Sequence, residues 1–169
     1  LSAQCGRAVE IVGNPGGERR VWLAMAQQNA VLAIARKVAQ KATQEDRLAA
    51  LRNALGLPAE AQRIECFDVS HTMGERAVAS CVIFDRLAMQ TAEYRRFNVT
   101  PPAGGDDYAA LREALTRRCA RIVAGEFAAP DLLVVDGGKG QVAVAAEVLA
   151  EQGLHDTRLI GVAKGPERK

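Results

Sequence analysis

The chain has 169 residues, 49% of them apolar and 25% charged, and a net charge of only +2. That balance excludes a disordered chain and a histone-like polycation, and the length suits one ordinary domain with some extra helix. Aromatic residues make up 4% of the total, so the core has to come mostly from Ala, Val, Leu and Ile.

No run of about 18 apolar residues is present, and Leu1 to Glu10 lacks the basic-then-apolar order of a signal peptide. A cytoplasmic protein with no membrane partner is expected. The four cysteines, Cys5, Cys66, Cys81 and Cys119, stand far apart, with only His71 and His155 to join them. No Cys-x-x-Cys pair points to zinc, and a reduced compartment does not suit a disulfide framework. The first residue is not Met, and Lys164-Gly-Pro-Glu-Arg-Lys169 brings no closing element, so the sequence reads as a piece of something longer.

Ala8 to Val12 is predicted as a short strand, and Gly13-Asn-Pro-Gly-Gly17 as a loop. From Glu18 to about Leu55 the chain lacks Pro and Gly. Trp22, Met25, Leu32 and Ala39, then Leu48, Leu51 and Leu55, recur there at helical spacing, giving one long helix or two. Gly56-Leu-Pro58 stops it. Such a helix has to pack its stripe on something, and Trp22 is expected in a core. Residues 1–60 are therefore read as a helical leader and 61–169 as the main domain, truncated at its C-terminal end.

Arg63 to Ser70 and Glu75 to Asp85 are predicted strands joined by a hairpin at His71-Thr-Met-Gly74. A turn centred between Met73 and Gly74 would set Cys66 opposite Cys81 and Asp68 opposite Ala79. Gln90 to Val99 is a third strand, with Glu93, Arg95 and Arg96 marking it as an edge. After the loop Thr100-Pro-Pro-Ala-Gly-Gly105, Asp106-Asp107 opens a helix. Its expected buried stripe is Tyr108, Leu111, Leu115, Cys119 and Ile122. Arg112, Arg117, Arg118 and Arg121 fall outside that stripe, either as a solvated face or, with Arg95 and Arg96, as phosphate contacts.

Leu132 to Val135 is a continuous apolar run that reads as a strand covered on both faces, ending in Asp136. Gly137, Gly138 and Gly140 follow at once. A carboxylate and a glycine-rich turn at the carboxyl end of a buried strand occupy the place where open α/β sheets hold ligands, although Asp is also a favoured helix cap. A helix from about Gly140 to Gln152, with Val142, Ala145, Val148 and Leu149 inward, and a last strand Arg158 to Ala163 complete the order.

This α/β order, β-β-β-α-β-α-β behind a helical leader, is that of a ribonuclease H-like mixed sheet, in which the first and fourth strands lie side by side and parallel. Asp68 and Asp136 then share one rim. Two adjacent carboxylates are costly without a cation between them, and oxygen donors favour Mg2+ or Mn2+. Such an ion supports phosphodiester hydrolysis.

Phe67-Asp-Val-Ser-His-Thr-Met-Gly-Glu75, Ala79-Ser-Cys-Val-Ile-Phe-Asp85, Glu93-Tyr-Arg-Arg-Phe-Asn98, Gly105-Asp-Asp-Tyr-Ala109, Val135-Asp-Gly-Gly-Lys-Gly-Gln141 and Gly161-Val-Ala-Lys-Gly165 together resemble the C-terminal endonuclease domain of UvrC. The likeness runs from roughly Trp22 to Lys169. It implies a metal-dependent incision on the 5′ side of a DNA lesion, with damaged double-stranded DNA and a UvrB–DNA complex as partners, the latter engaged through parts of the full protein outside this sequence. It carries a metal-binding role to Asp68 and Asp136, and links Asp107 either to incision or to simple helix capping. The histidine of the family's Asp-Asp-His triad falls beyond Lys169, and neither His71 nor His155 replaces it. The isolated piece is therefore expected to bind metal weakly and cut poorly. Arg95, Arg96, Arg117, Arg118, Arg121 and Lys139 are the candidate nucleic-acid contacts.

Two rivals stand beside this reading. Gly138-x-Gly140-x-x-Ala143 fits a dinucleotide fingerprint on paper, but antiparallel-looking strands precede it and Asp156 comes before the last strand instead of ending it. A phosphate-loop site fails because Gly140 follows Lys139 where Ser or Thr is needed. The other rival is a non-catalytic interaction domain of the same fold, since fold alone does not secure function.

Overall fold

The computed structural model describes residues 2–9, 12–72, 76–99 and 107–163. The turn expected at Met73-Gly74, the loop from Thr100 to Gly105, Asp106 and the segment from Lys164 to Lys169 lie outside the described residues. Two compact units divide the chain, Leu1–Gln44 and Glu45–Lys169.

In the first unit, α1 is the single turn Ser2–Cys5, and α2 begins at Glu18 and runs unbroken to Leu55 in the second unit. The long segment is thus one helix. Ala8, Val9 and Val12 carry no strand, and Glu10 and Ile11 are not described. Trp22 is 62% exposed, against the expectation of a core position. Among the described residues of this unit, the four-residue α1 is the only other helix, too short to cover an eleven-turn neighbour.

In the second unit the last turns of α2 are anchored. Leu48 is buried, and the Arg52 Nε donates to the Ala61 carbonyl at 2.7 Å. Gly56, at φ 61°, lets the Leu57 N–H return to the Arg52 carbonyl, closing the helix.

Six strands make one mixed sheet: β1 Ile64–Thr72, β2 Arg76–Asp85, β3 Ala88–Met89, β4 Arg95–Val99, β5 Leu132–Asp136 and β6 Arg158–Val162. Their order is β3-β2-β1-β5-β6, and β4 also pairs with β2. β1 runs antiparallel to β2 and parallel to β5, so the first long strand and the strand after the crossover helix lie side by side as expected. This mixed pattern is not the parallel sheet a dinucleotide site requires.

Two details differ from the sequence reading. The β1–β2 hairpin is one residue out of the expected register: Phe67 faces Cys81, Cys66 faces Val82 and Asp68 faces Ser80. Paired residues share a face, so this slip separates the two cysteines onto opposite faces. The third strand is shorter than Gln90 to Val99, because Thr91–Glu93 forms a 3₁₀ turn and only Arg95–Val99 pairs, with the unforeseen β3 ahead of it.

Helices α3 (Asp107–Val123) and α4 (Lys139–Glu151) cover one face of the sheet. There Glu65, Phe67, Ala79, Cys81, Ile83, Leu133 and Val135 are each at most 2% exposed. Phe67 stacks on Phe97 with ring centroids 6.0 Å apart. Fully burying such a ring contributes about 2–3 kcal/mol. Ala110 and Ala114 are 0% exposed, and their small side chains let α3 lie close against the strands. Tyr108, expected in the stripe, is 47% exposed instead.

Candidate active site

Asp68, in the middle of β1, and Asp136, the last residue of β5, stand side by side just past the end of the β1–β5 pairing. The last paired residues of β1 and β5 are Phe67 and Val135, so the two aspartates follow one step later in the same parallel register. Phe67 and Val135 point into the helix-covered core, and alternation turns the next residues to the opposite, outer face. Cys66 lies on that outer face too. Burial first, then the charge of Asp136 and that of Asp68, push its thiol pKa up. Both carboxylates therefore act on one point. The Ser70 hydroxyl donates to Asp68 Oδ2 at 2.9 Å, and neither aspartate makes an ion pair with a described residue.

The turn after Asp136 is held from three sides. The Gly137 N–H donates to the Val162 carbonyl at 2.9 Å, and the Gly138 N–H donates to Gln141 Oε1 at 3.0 Å. A Cβ on Gly161 would meet Val142 and lie 2.8 Å from the Gly137 carbonyl oxygen, so only glycine allows β6 this close. Gly138, not Asp136, is the N-cap of α4. Asp136 is thus released from the capping role that its sequence context left open, and Gln141 is a site-shaping residue that sequence reasoning did not single out. Its signal was its place three residues after a glycine N-cap.

A small concavity of about 120 Å³ lies beside Asp136, lined by Phe67, Val69, Asp107, Leu111, Val135, Asp136 and Gln141. The start of α3 brings Asp107 to it. The register therefore sets Asp136 beside Asp68 on the outer face, whereas the hollow, lined by core-facing Phe67, Val69 and Leu111 and not by Asp68, places Asp107 on the helix side of the sheet. Among the described residues no group of three His, Cys, Asp or Glu side chains is placed to hold a metal.

The arginines separate. Arg118 is 1% exposed, and its guanidinium donates to both oxygens of Glu65 at 2.6 and 2.9 Å. It also sits 4.1 Å from the Phe127 ring centroid. A side chain shut away in this manner is not offered to a phosphate, so Arg118 leaves the list of nucleic-acid contacts. Arg95 and Arg121 flank the same ring at 5.3 and 4.7 Å, and Arg121 pairs with Glu126 at 2.7 Å. Arg117 pairs with Glu113 at 3.4 Å and Arg112 bridges to Glu147 and Glu151. Arg117 and Arg121 lie ten and fourteen residues down α3 from Asp107, roughly 15 and 21 Å along its axis. Lys139, exposed at the start of α4, and Arg96, exposed on β4, remain open to solvent.

Residues 52–169 match the family described as the UvrC RNase H endonuclease domain. This chain belongs to that family. The UvrABC system protein C of Methylobacillus flagellatus is 59% identical over the whole chain, and that of Nitrosomonas europaea 56%. The chain spans 28% of the length of each. Endonuclease V of Ciona intestinalis, solved with a 24-mer DNA containing an inosine, superposes with a TM-score of 0.50 at 18% identity, covering 80% of this chain and 60% of that one. That likeness bears on the fold, which is ribonuclease H-like. No helix among the described residues is long and apolar enough to cross a membrane.

Proposed function

We propose that this UvrC endonuclease domain makes the incision 5′ to a DNA lesion by hydrolysing a phosphodiester with a divalent cation, Mg2+ or Mn2+, held by Asp68 and Asp136. The observation that carries this reading is the in-register placement of the two carboxylates at the ends of the parallel pair β1 and β5. Neither is neutralised by a described cation, and adjacent carboxylates of this kind call for positive charge between them. The donor set is all oxygen, which fits a hard cation. The bound ion supplies charge stabilisation for the displacement and acidifies water.

The chain's own residues do the rest. Ser70 fixes one oxygen of Asp68, the Gly137–Gly138 turn fixes Asp136, and Asp107 lines the hollow beside Asp136. Lys139 and Arg96 offer positive charge to the DNA backbone. Damaged double-stranded DNA is the proposed substrate, presented in a UvrB–DNA complex through other parts of the full protein, in the cytoplasm. Calorimetric titration of Mn2+ into the full-length protein and its Asp136→Asn variant tests the metal site. Affinity falling at least tenfold supports it, and equal affinity removes Asp136 from the site.

A further inference from the structure

The register of the sheet sets four residues in one row across its outer face. Asp136 stands beside Val162 on β6 and one step past the β1–β5 pairs, next to Asp68. Asp68 pairs with Ser80 on β2, and Ser80 pairs with Arg96 on β4. Directly paired residues project to the same side of a sheet. The neighbours of Arg96 confirm the side: Phe97 is buried in the helix-covered core, and Arg95 lies against Phe127 beside core-buried Arg118. Arg96 therefore faces outward with Asp68. It is exposed, and it makes no ion pair with a described residue, unlike Arg112, Arg117, Arg118 and Arg121.

The next row of the same face is polar at its two ends, Ser70 and Asn98, with Val78 paired to both between them. From Asp68 to Arg96 is two strand spacings, about 10 Å. At about 3.4 Å of rise per nucleotide along the duplex axis, the least distance that successive phosphates of one strand can span, that separation holds at most about three nucleotides. An unpaired guanidinium is suited to grip a phosphate by two parallel hydrogen bonds.

We propose that the row Asp136–Asp68–Ser80–Arg96 is the track of the strand being cut. The scissile phosphodiester lies at the two aspartates, the strand crosses β1 and β2 toward the edge strand β4, and Arg96 clamps the phosphate two or three nucleotides from the cut. Ser80 is the neutral, short residue over which the backbone passes. This rests on the reading of Asp68 and Asp136 as the 5′ nuclease centre, and it adds an orientation of the DNA that this reading does not contain.

The test uses the full-length protein with its partner subunits on a damaged duplex. Single methylphosphonates, which remove the charge of one phosphate, are placed in turn at the four positions on each side of the 5′ cut. Single-turnover 5′ incision is compared for wild type and Arg96→Gln, with the 3′ cut, which the family resemblance assigns to another nuclease domain of the full-length protein, as the control for folding and assembly. Losing a charged bidentate contact should slow wild type about tenfold at one position two or three nucleotides from the cut. Arg96→Gln should be slowed about as much on the unmodified duplex, and that one methylphosphonate should slow it less than twofold further. A wild-type rate for Arg96→Gln overturns the proposal, as does a loss that adds fully to the methylphosphonate at every position. Persistence of the 5′ cut in Asp68→Ala would mark failure of the nuclease reading itself, and the track would fall with it.

Discussion

The guanidinium of Arg118 on α3 grips both carboxylate oxygens of Glu65 on β1, at 2.6 and 2.9 Å, inside the core. Arg63 reaches the same carboxylate at 3.0 Å and extends the network to Glu93 and Asp85. The Cys81 thiol donates to Glu65 as well, at 3.6 Å. Charges taken out of water stabilise little on balance, but removing Arg118 leaves the buried Glu65 carboxylate with Arg63 as its one remaining cation among the described residues.

Arg118→Met is therefore expected to destabilise the chain by about 3–5 kcal/mol, read by urea unfolding. Glu65→Leu combined with Arg118→Met should cost at least about 1 kcal/mol less than the sum of the single changes. A single variant within about 0.5 kcal/mol of wild type would mean that the pair does not form.

This pair shows where the sequence was legible and where it misled. Arg118 is one heptad after Leu111, hence within about 20° of it around the helix, on the buried side. Its charge argued for the surface, and only the matching misfit at Glu65, between Ile64 and the core-facing Phe67, could have signalled a buried partner. The blocks around Asp68 and Asp136 were readable because strand order alone sets them side by side. The hairpin register was not, since β2 is apolar on both faces, Ala79 and Ile83 on one and Val78 and Val82 on the other, so a one-residue shift leaves its pattern equally satisfied while changing which residues share a face. Trp22 was misplaced for another reason: helical spacing says which residues share a side, not whether anything covers it.

Cys119 offers a pH prediction. Burial first, then the charge of Glu65, raise its thiol pKa to about 11 from an ordinary value near 9. The folded state thus holds this proton more tightly than the unfolded chain. The associated stability is fully present below about pH 9 and is lost as the pH rises toward 11. Unfolding midpoints in urea should fall across that window, and the fall should be shallower in Cys119→Ala. The same burial predicts that exposed Cys5 reacts with a thiol reagent at pH 8 while Cys81 and Cys119 do so only on unfolding.

The glycines around the turn differ in what an added methyl would strike. At Gly161 it would meet the backbone oxygen of Gly137 at 2.8 Å, which can yield only if β6 or the Asp136 turn moves. At Gly140 it would meet the Tyr108 ring at 2.7 Å, and that side chain is half-exposed and can swing aside. Gly161→Ala is expected to cost about 1–3 kcal/mol and to lower incision. Gly140→Ala, which also gains helix propensity, should stay within about 1 kcal/mol of wild type. Equal costs in urea unfolding would mean that Gly161 does not shape the turn.

The central claim is that Asp68 and Asp136 form one nuclease centre serving the 5′ cut. Its most direct test is single-turnover incision of a damaged duplex by the full-length protein carrying Asp68→Ala, with the 5′ and 3′ cuts scored separately. The expected result is loss of the 5′ cut with the 3′ cut retained. A 5′ cut that proceeds at the wild-type rate would contradict the account.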